Sequence, residues 1–319
     1  MKKIITVITF VCFGVFTSAA QQILLSDQYL VNKYALTPAM AGHNNNFESF
    51  LSVRKSWIGI EGAPSLKTVS INGPLMKYSG IGATITSQEA GIFRTFSASF
   101  AYAHQLKFSG DQSLRLGLSA GFFENQIDLS AIKSQQSASD PLAYQNQSQS
   151  GNTFDADFGM VYTMKKLSIG LVLPQIVETK IKDAANAQTL YTFKRHYILN
   201  VDYLYYIGRD FLLEPQALVR ATAESPVFYE VAALAKYRQQ FWLGGIYRKG
   251  NALAVIAGAS LYNNFAISYS YGFSGGIQGS SSGTHEVTLG LYLGKNKNNP
   301  TSIFPSEPKI GEAYYHMAQ

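Results

Sequence analysis

Hydrophobic and polar residues alternate with a period of two in four consecutive runs of the C-terminal half of the chain. In the fourth run, one face carries Phe265, Ile267 and Tyr269, and the opposite face carries small or polar residues. Each run has about the length of a tilted strand that crosses a bilayer, roughly nine to eleven residues. The pattern therefore predicts four β-strands, at residues 226–237, 239–249, 252–261 and 264–274, that are joined by tight turns.

The same alternation recurs along most of the chain and predicts ten further strands, nine before these four and one after them. Their bounds are 47–58, 66–72, 78–87, 92–107, 112–124, 154–163, 165–173, 193–208, 210–221 and 285–294. The total is about fourteen, an even number within the usual range of outer-membrane barrels. A soluble sandwich would bury its apolar face in a narrow core, whereas a membrane barrel turns that face to lipid and keeps its polar groups in the lumen.

The lengths of the predicted connections distinguish the barrel from the sandwich. When both ends of a barrel lie in the periplasm, the connections after odd-numbered strands are external and can be long, whereas those after even-numbered strands are short turns. The three longest connections, 125–153, 174–192 and 275–283, follow the fifth, seventh and thirteenth predicted strands. We therefore predict an all-β protein, a transmembrane antiparallel β-barrel of about fourteen strands that occupies residues 47–294.

The composition agrees with a large surface that faces lipid. Charged residues make up 14% of the 319 residues and aromatic residues 13%, including 20 Tyr and 20 Phe. In globular proteins about a quarter of the residues are charged. The formal net charge of +6 is mild and spread along the chain, so it does not indicate a nucleic-acid-binding protein.

Residues 1–20 have the organisation of a secretory signal peptide. Two lysines form a basic start, an apolar stretch runs over residues 4–15, and small residues end at Ala20. The apolar stretch is too short to favour a membrane anchor helix. Cys12, the one cysteine of the chain, lies inside this segment, so the mature protein is expected to have no disulfide and no thiolate metal site.

Two further segments flank the predicted barrel. Residues 21–46 precede the first strand, and within them Ser26-Asp27 is able to cap a short helix that ends before Pro38. This N-terminal segment either lies at the periplasmic mouth or folds into the lumen. Residues 295–319 form a C-terminal tail, which we expect in the periplasm either as a disordered extension or as a docking segment.

Known catalytic and metal-binding motifs do not occur in the sequence. No two of the five histidines have metal-ligand spacing, and there is no nucleophile elbow, phosphate loop or dinucleotide fingerprint. We therefore predict no catalytic site, no cofactor and no metal. An outer-membrane hydrolase stays an alternative, and it requires a nucleophile and a histidine within hydrogen-bond distance at the rim of the barrel.

Charged residues recur on the polar faces of the predicted strands. We favour ion-paired filling of the lumen as their role, and a polar path or a binding surface for another chain is the alternative. We interpret Trp57 and Trp242 as interface-girdle or packing residues rather than as a ligand platform. The charged residues are Glu48, Arg54, Arg115, Asp155, Asp157, Asp202, Glu214, Arg220, Glu230, Lys236, Arg248 and Glu286.

A series of short motifs runs in order through nearly all of the chain that follows the predicted signal peptide. They include Gln28-Tyr29, Thr37-Pro38-Ala39-Met40-Ala41-Gly42, Arg54-Lys55-Ser56-Trp57, Gly59-Ile60-Glu61-Gly62-Ala63-Pro64, Gly80-Ile81-Gly82-Ala83, Arg195-His196-Tyr197, Phe241-Trp242-Leu243-Gly244 and Thr284-His285-Glu286-Val287. Together these motifs resemble the PorP/SprF family of outer-membrane proteins of the type IX secretion system. The second motif is similar to the family's N-P-A-x-A-G, with Thr37 in place of Asn.

This resemblance implies a non-enzymatic component of the cell outer membrane that assists the export or surface anchoring of large adhesins, in some members those of gliding motility. Besides outer-membrane lipid, the expected partners are the type IX secretion machinery, a periplasmic peptidoglycan-binding protein and a cognate secreted adhesin, and nucleic acid is not among them. The family has no catalytic residues. Its most recognisable positions in this sequence are Pro38, Gly42, Arg54, Trp57 and Pro64.

We expect structural roles for these five family positions, and our hypothesis is that Arg54 and Trp57 fix the first hairpin. The alternative function is a passive outer-membrane porin or a hydrophobic-solute channel, which requires an open lumen. The accessory role in secretion instead requires a lumen that is blocked by residues 21–46 or by a partner.

Overall fold

The computed structural model describes most of the predicted barrel and the segment before it. The described residues are 26–44, 46–128, 149–177, 180–182, 189–192, 195–223, 225–250, 252–261, 264–273 and 281–293. The predicted signal peptide (residues 1–20) and the predicted C-terminal tail (residues 295–319) lie outside the described residues, and both stay predictions.

Strands make up most of the described chain. In chain order they are β1 (Phe47–Lys55), β2 (Ser65–Met76), β3 (Ser79–Ala90), β4 (Phe93–Lys107), β5 (Gln112–Ile127), β6 (Gln149–Met164), β7 (Leu167–Leu173), β8 (Lys180–Lys182), β9 (Thr189–Thr192), β10 (His196–Tyr203), β11 (Tyr205–Ile207), β12 (Phe211–Thr222), β13 (Ser225–Tyr237), β14 (Phe241–Arg248), β15 (Ala252–Leu261), β16 (Phe265–Gly272) and β17 (Thr284–Leu293). β8 and β9 pair only with each other within the described chain. β10 and β11 both pair with β12 and are two parts of one spanning strand, interrupted at Leu204.

Backbone pairing closes the large sheet into a barrel. β1 pairs antiparallel with β17, from Phe47 opposite Leu293 to Lys55 opposite His285. β10 pairs with β7 on one side and with β12 on the other. Closure leaves no open strand edge, which is the condition for strands to cross lipid. The described residues thus form a closed antiparallel barrel of fourteen spanning strands, which confirms the fold predicted from the alternation.

The two faces of the barrel differ in polarity as a membrane barrel requires. On β1, Leu51 and Val53 face outward and are exposed, whereas Ser52 and Arg54 face the lumen and are buried. Leu243 on β14 is 65% exposed, and large apolar side chains point outward in the same way on the other spanning strands. Lipid is the solvent that suits such a surface. In the part of the chain that the structure describes, no helix is long and apolar enough to cross a membrane.

Long and short connections are sorted between the two ends of the barrel. The strand ends that flank the connections 56–64, 128–148, 174–195 and 273–283 all lie at one end, which we name the long-loop end. At the opposite end, which we name the short-turn end, no connection between the described strands exceeds the four residues of 108–111. In outer-membrane barrels the short turns face the periplasm and the long loops face the outside. The three longest connections predicted from the sequence therefore all join strands at the external end.

Residues 26–44, which precede β1, lie inside the barrel. Ser26 accepts a hydrogen bond through its side chain from the backbone N–H of Gln28, and Thr37 accepts one from Ala39 in the same way, so each caps a short helix. Of the two locations that the sequence leaves open for this segment, the lumen is the observed one. The segment contains three 3₁₀ helices, Asp27–Leu30, Lys33–Ala35 and Pro38–Met40.

An apolar cluster packs this segment against one side of the lumen. Tyr29 and Leu30 belong to the same buried cluster as the wall residues Phe50, Trp242 and Tyr292. The rings of Phe50 and Tyr292 meet edge to face, with their centroids 5.6 Å apart. Trp242 is 3% exposed, so it is a packing residue of the lumen, which is one of the two roles expected from the sequence.

A positive charge on the outward face tests which side chains meet lipid. We expect Leu289→Arg to destabilise the barrel by about 2–4 kcal/mol, because Leu289 lies midway along β17 and a guanidinium there has to enter hydrocarbon. Leu293→Arg, at the end of the same strand, is expected to cost about 0–1 kcal/mol. Urea unfolding of both variants in phospholipid vesicles gives the two free energies of unfolding. Equal losses at the two positions would contradict the assigned faces and depth.

Candidate functional site

The lumen is the candidate functional site, and residues 26–44 fill part of it. We call this segment the lumenal plug. It descends from the long-loop end to the short-turn end, since Asp27 contacts Arg54 near the outer end of β1, whereas Ala39 contacts Arg115 near the inner end of β5. Three groups of polar contacts fix this path.

The first group, which we call the outer anchor, surrounds Asp27. Its carboxylate pairs with Arg248 and, at 3.2 Å, with Nη1 of Arg54, and it accepts a hydrogen bond from Oγ of Ser270 at 2.6 Å. The backbone N–H of Asp27 donates to Oε2 of Glu286 at 2.9 Å, and the same carboxylate oxygen lies 2.9 Å from Arg54. The outer anchor thereby joins the plug to β1, β14, β16 and β17 in one buried network.

Two guanidinium groups determine the charge of Asp27. Burial raises the pKa of its carboxyl, but Arg248 and Arg54 lower it more, and the pKa lies below its ordinary value. Asp27 is therefore ionised at neutral pH. Because its pKa falls on folding, the ionised carboxyl of Asp27 stabilises the folded protein. This stabilisation is present above the pKa that the group has in the unfolded chain, and it is lost as pH falls through the pKa that it has in the folded protein. The outer anchor thus holds at neutral pH and weakens in acid.

The second group joins the middle of the plug to β13 and β2. The hydroxyl of Tyr29 hydrogen-bonds to Glu230, and this carboxylate also pairs with Arg248 of the outer anchor. Asn32 donates from Nδ2 to Oγ of Ser70 at 3.0 Å. The two contacts hold successive turns of the plug to different strands.

Glu214 of β12 completes the second group by pairing with two ammonium groups. Lys33 of the plug and Lys236 of β13 each place Nζ 2.6 Å from a carboxylate oxygen of Glu214, and Gln216 donates to it at 3.1 Å. Burial lowers the pKa of Lys33, but Glu214 and Asp202 raise it, and the pKa lies above its ordinary value. Lys33 is therefore a cation of the plug that is matched to anions of the wall.

The third group, which we call the inner anchor, holds the plug near the short-turn end. Arg115 donates from Nε to the carbonyl oxygen of Ala39 at 2.8 Å and from Nη2 to that of Ala41 at 2.7 Å. The backbone N–H of Gly42 donates to Oδ1 of Asn72 at 2.9 Å. A guanidinium suits this task because its donors are planar and fixed in spacing. The inner anchor therefore recognises the backbone of the plug rather than its side chains.

The plug approaches the wall most closely where the wall has glycine. A Cβ atom on Gly117 would lie 2.2 Å from the backbone nitrogen of Ala39, and one on Gly80 would lie 2.1 Å from the carbonyl oxygen of Ala41. Gly42 in the plug has a φ of +65°, a conformation that favours glycine. Any side chain at these positions would displace the backbone of the plug from the wall.

Three of the five family positions contact the plug or belong to it. Pro38 occupies the first turn of the third 3₁₀ helix, and Gly42 donates to the wall in the inner anchor. Arg54 bridges Asp27 and Glu286, so its ion pairs join the plug to β17. These contacts are compatible with the structural roles predicted for the three positions.

The other two family positions lie in the connection between β1 and β2. Trp57 is 39% exposed and has a φ of +47°, and its backbone N–H lies 3.4 Å from Oγ1 of Thr284. The carbonyl oxygen of Pro64 accepts a hydrogen bond from the backbone N–H of Ser56 at 2.8 Å, which closes the base of this connection. The hypothesis that Arg54 and Trp57 fix the first hairpin stays a prediction.

Most of the charged residues predicted on the polar strand faces take part in the three groups of contacts around the plug. Glu48 accepts hydrogen bonds from Asn44 and Asn72, whereas the guanidinium of Arg220 lies 5.0 Å from the ring centroid of Phe228. Sequence reasoning missed the plug residues that these charges contact, because Ser26-Asp27 indicated only a helix cap. The residues that take part in the three groups are Arg54, Arg115, Glu214, Glu230, Lys236, Arg248 and Glu286, with Asp202 close to Lys33.

A cavity of about 320 Å³ remains between the plug and the wall, and we call it the vestibule. Its wall belongs mainly to the outer halves of β2, β3, β4 and β5, so it lies towards the long-loop end. Tyr34 and Pro38 of the plug line its inner side, and Asp155 and Asp157 of β6 add two carboxylates. Apolar side chains, among them Leu66, Phe122, Phe123, Val172 and Ile198, line the cavity together with eight hydroxyl groups: Thr68, Ser70, Thr84, Thr86, Thr95, Ser97, Ser99 and Ser119.

One histidine of the described chain contacts the hydroxyl group of a serine. His104 places Nδ1 2.9 Å from Oγ of Ser79, which also lies 3.0 Å from the hydroxyl of Tyr102. This contact meets the distance requirement of the hydrolase alternative. Within the described part of the chain, however, His104 makes no hydrogen bond to a carboxylate that would orient it as a base. The described residues also contain no group of three His, Cys, Asp or Glu that could hold a metal ion.

The fold and the site define the class of this protein, an outer-membrane β-barrel whose lumen is partly filled by its own N-terminal segment. The family described as "Type IX secretion system membrane protein PorP/SprF" matches residues 18–291. The chain therefore belongs to the PorP/SprF family, which confirms the resemblance seen in its motifs. The family and the barrel place the protein in the outer membrane and associate it with the type IX secretion machinery.

The barrel is also similar to solved structures. A CymD monoaromatic hydrocarbon channel has a TM-score of 0.51 and 11% identity, and the match covers 85% of this chain and 92% of that chain. The toluene transporter TbuX from Ralstonia pickettii has a TM-score of 0.47 and 10% identity, with 82% and 92% covered. At such identities the similarity concerns the fold alone. No curated protein matches the chain.

An alanine at Gly117 tests how closely the plug lies against the wall. We expect Gly117→Ala to cost about 1–3 kcal/mol, because its methyl group would meet the backbone of Ala39 and force the plug to shift. Gly245→Ala is the matched control, since a Cβ there meets no atom within 4 Å. The temperature at which the folded band disappears in SDS electrophoresis measures the effect. The same temperature for both variants would show that the plug does not rest on Gly117.

Removal of Arg54 tests the outer anchor and the role predicted for two family positions. We expect Arg54→Ala to destabilise the barrel by about 3 kcal/mol, because it takes one cation away from two buried carboxylates. Trp57→Ala should have a smaller effect, since Trp57 is half-exposed. Lys55→Ala, an exposed cation on the same strand, is the control. If the double variant of Arg54 and Trp57 assembles normally and keeps its heat stability, the structural role is wrong.

Proposed function

We propose that this protein is a non-enzymatic accessory of the type IX secretion system that assists the export or surface anchoring of large adhesins, including adhesins of gliding motility. The plug is the observation that carries the proposal, because a barrel whose own chain occupies part of its lumen is better suited to serve as a platform than as a passage. We further propose that a cognate adhesin docks at the long-loop end and a periplasmic peptidoglycan-binding protein at the short-turn end.

The contacts of the plug support a barrel that does not conduct. The outer anchor holds Asp27, the second group holds Lys33, and the inner anchor holds Ala39 and Ala41. Departure of the plug would leave Glu214 and other buried wall charges without some of their partners. Losing one partner of a buried ion pair costs about 3–5 kcal/mol, so spontaneous opening is rare.

The vestibule supports a polar partner that arrives from outside. Its hydroxyl groups donate and accept hydrogen bonds, so they suit the backbone and polar side chains of an extended polypeptide. Pockets for apolar solutes are lined mainly by hydrophobic and aromatic side chains. The vestibule combines hydroxyl groups with apolar residues such as Phe122, Val172 and Ile198, so it suits a polypeptide segment that carries both polar and apolar side chains. The barrel shares its fold with a monoaromatic hydrocarbon channel, and the plug rather than this lining distinguishes the proposal from such a channel.

The surroundings of Ser79 support a role without catalysis. Ser79 and His104 lie at the short-turn end of β3 and β4, and His104 and Tyr102 share the outward face of β4. Their mutual hydrogen bonds satisfy the serine without activating it, since no acid orients the imidazole through a hydrogen bond in the described chain. The proposal therefore assigns these side chains no chemical step.

One experiment with two readouts tests the proposed function. A strain that lacks the gene is complemented with the wild-type protein or with Asp27→Asn/Lys33→Gln/Arg115→Gln, which weakens all three groups of plug contacts. We expect the wild-type protein to restore a large adhesin to the cell surface and to show no steady conductance in planar bilayers. The triple variant should conduct, because its plug is no longer held in the lumen.

The two readouts separate the accessory role from its alternatives. Steady conductance of the wild-type protein would overturn the plugged platform in favour of a porin or solute channel. Unchanged surface display of all large secreted proteins in the deletion strain would overturn the role in export. The variant Lys55→Gln, which removes one exposed charge and so changes the net charge as much as the triple variant does, is the control for altered net charge in the conductance measurement.

A further inference from the structure

The short-turn end of the barrel carries an excess of positive charge. Its described turns and adjoining strand ends contain six basic residues but two acidic ones, Asp111 and Asp210, which leaves four net positive charges. These residues belong to five turns that follow one another around the barrel, from the turn after β2 to the turn after β13. We call the six basic residues the cationic belt: Lys77, Lys107, Lys165, Lys166, Arg209 and Arg238.

Tyrosine rings hold several of these cations at one level of the barrel. Nζ of Lys77 lies 5.3 Å and Nζ of Lys107 5.4 Å from the centroid of the Tyr78 ring, so two ammonium groups of different turns share one ring. Such cation–π contacts restrain long, flexible side chains. The other contacts of this kind are Lys166 with Tyr206 at 5.1 Å and Arg238 with Tyr237 at 5.3 Å.

Hydrogen bonds between neighbouring turns make the cationic belt continuous. The backbone N–H of Lys165 donates to the carbonyl oxygen of Asp111 at 2.8 Å, which links the turns after β4 and β6. The backbone N–H of Arg238 donates to the carbonyl oxygen of Asp210 at 2.6 Å, which links the turns after β11 and β13. The turns that carry the cationic belt are therefore spaced around the barrel by the sheet itself.

The long-loop end is also basic in the described residues, so net charge alone does not distinguish the two ends. Lys55 and Lys67 lie there together with Glu61 and Glu89. Arg94 in the same region pairs with Asp128, with the two side-chain atoms 3.5 Å apart. The feature that the short-turn cations share is their arrangement, since Lys77, Lys107, Lys166 and Arg238 each lie against a tyrosine ring.

Exposed aromatic side chains place the cationic belt at the level of lipid headgroups. Tyr78, Phe108, Tyr205 and Phe211 are large exposed residues at or next to the short turns. In membrane proteins such residues occupy the interface between hydrocarbon and water. The belt therefore lies where the phosphate groups of the periplasm-facing leaflet are found.

We propose that the cationic belt binds the phosphate groups of anionic phospholipids in the leaflet that faces the periplasm. Lys77 and Lys107 form one end of this surface, where two ammonium groups of neighbouring turns lie within 5.4 Å of the centroid of one ring, that of Tyr78. Ser79 and His104 lie directly above, towards the hydrocarbon, and supply polar groups for the ester region of the same lipid. Anionic lipid attracts basic residues near a membrane surface, and each cation adds to the affinity.

The shape of the cationic belt favours lipid over an acidic protein. The belt follows the circumference across five turns, and lipid surrounds a barrel along its whole circumference. A compact protein partner would cover only part of such an arc. Lipid also matches the outward exposure of the aromatic residues that hold the cations.

Native mass spectrometry of the purified full-length chain in detergent tests this proposal. The probes are dioleoylphosphatidylglycerol, which is anionic, and dioleoylphosphatidylcholine, which is not. We expect the wild-type protein to retain the anionic lipid at least about tenfold better, and Lys77→Gln/Lys107→Gln/Lys166→Gln to lose about tenfold or more of that retention. The matched control Lys55→Gln/Lys67→Gln/Lys249→Gln removes three cations near the long-loop end and should retain the lipid as the wild type does.

Two outcomes would overturn the lipid site. One is equal retention of anionic lipid by the two triple variants, and the other is equal retention of both lipids by the wild-type protein. If the belt variant loses binding of a polyglutamate peptide but keeps the lipid, the belt is a protein-docking surface instead. Should the belt variant fail to assemble, the wild-type protein decides the question. Raising NaCl from about 0.05 to about 0.5 M should release the anionic lipid from the wild-type protein. Full retention of the lipid at the higher salt concentration would contradict binding through charge.

Discussion

The compensation of buried charge between the plug and the wall is the interaction on which the rest of the structure depends. Glu214, Glu230 and Glu286 are at most 2% exposed, and each has a partner in the plug. A buried charge that loses its partner is strongly destabilising. Neither the wall nor the plug satisfies its polar groups alone, so the two form one folding unit. The glycines of the wall allow this, because they let the backbone of the plug approach closely enough for Arg115 to reach it.

Alternation and connection lengths made the barrel predictable because both depend on spacing along the chain. Side chains two residues apart share a face of a strand, so the lumenal positions of Arg54 and Glu214 follow from sequence alone. The contacts of the plug differ, since Ser26 meets Glu286 and Asp27 meets Arg248, which are 260 and 221 residues away along the chain. No local pattern marks such pairs. The sequence therefore indicated most charges of the wall and left the location of the plug open.

Predicted strand bounds are wrong where one residue has an unusual backbone. The alternation predicts a first strand to residue 58, but β1 ends at Lys55, and Trp57 has a positive φ that extended strands do not adopt. The alternation also ends the second strand at residue 72, whereas β2 continues to Met76 through an irregular register at Pro74. A bulge accommodates proline, which has no N–H to donate to the ladder. Both irregularities are local, so they leave the number of spanning strands unchanged.

The two ends of the barrel differ in chemistry, and the plug determines how they can act together. The long-loop end offers the vestibule, whose wall carries both hydroxyl and apolar side chains, and the short-turn end carries the cationic belt. In a barrel with an open lumen, water alone would lie between the two ends, and the vestibule and the cationic belt would have no mechanical link through the lumen. With residues 26–44 anchored to β1, β5, β12 and β17, a force applied to a partner in the vestibule passes through ion pairs and backbone hydrogen bonds into the wall. A barrel of this construction is suited to hold a large external protein in the membrane.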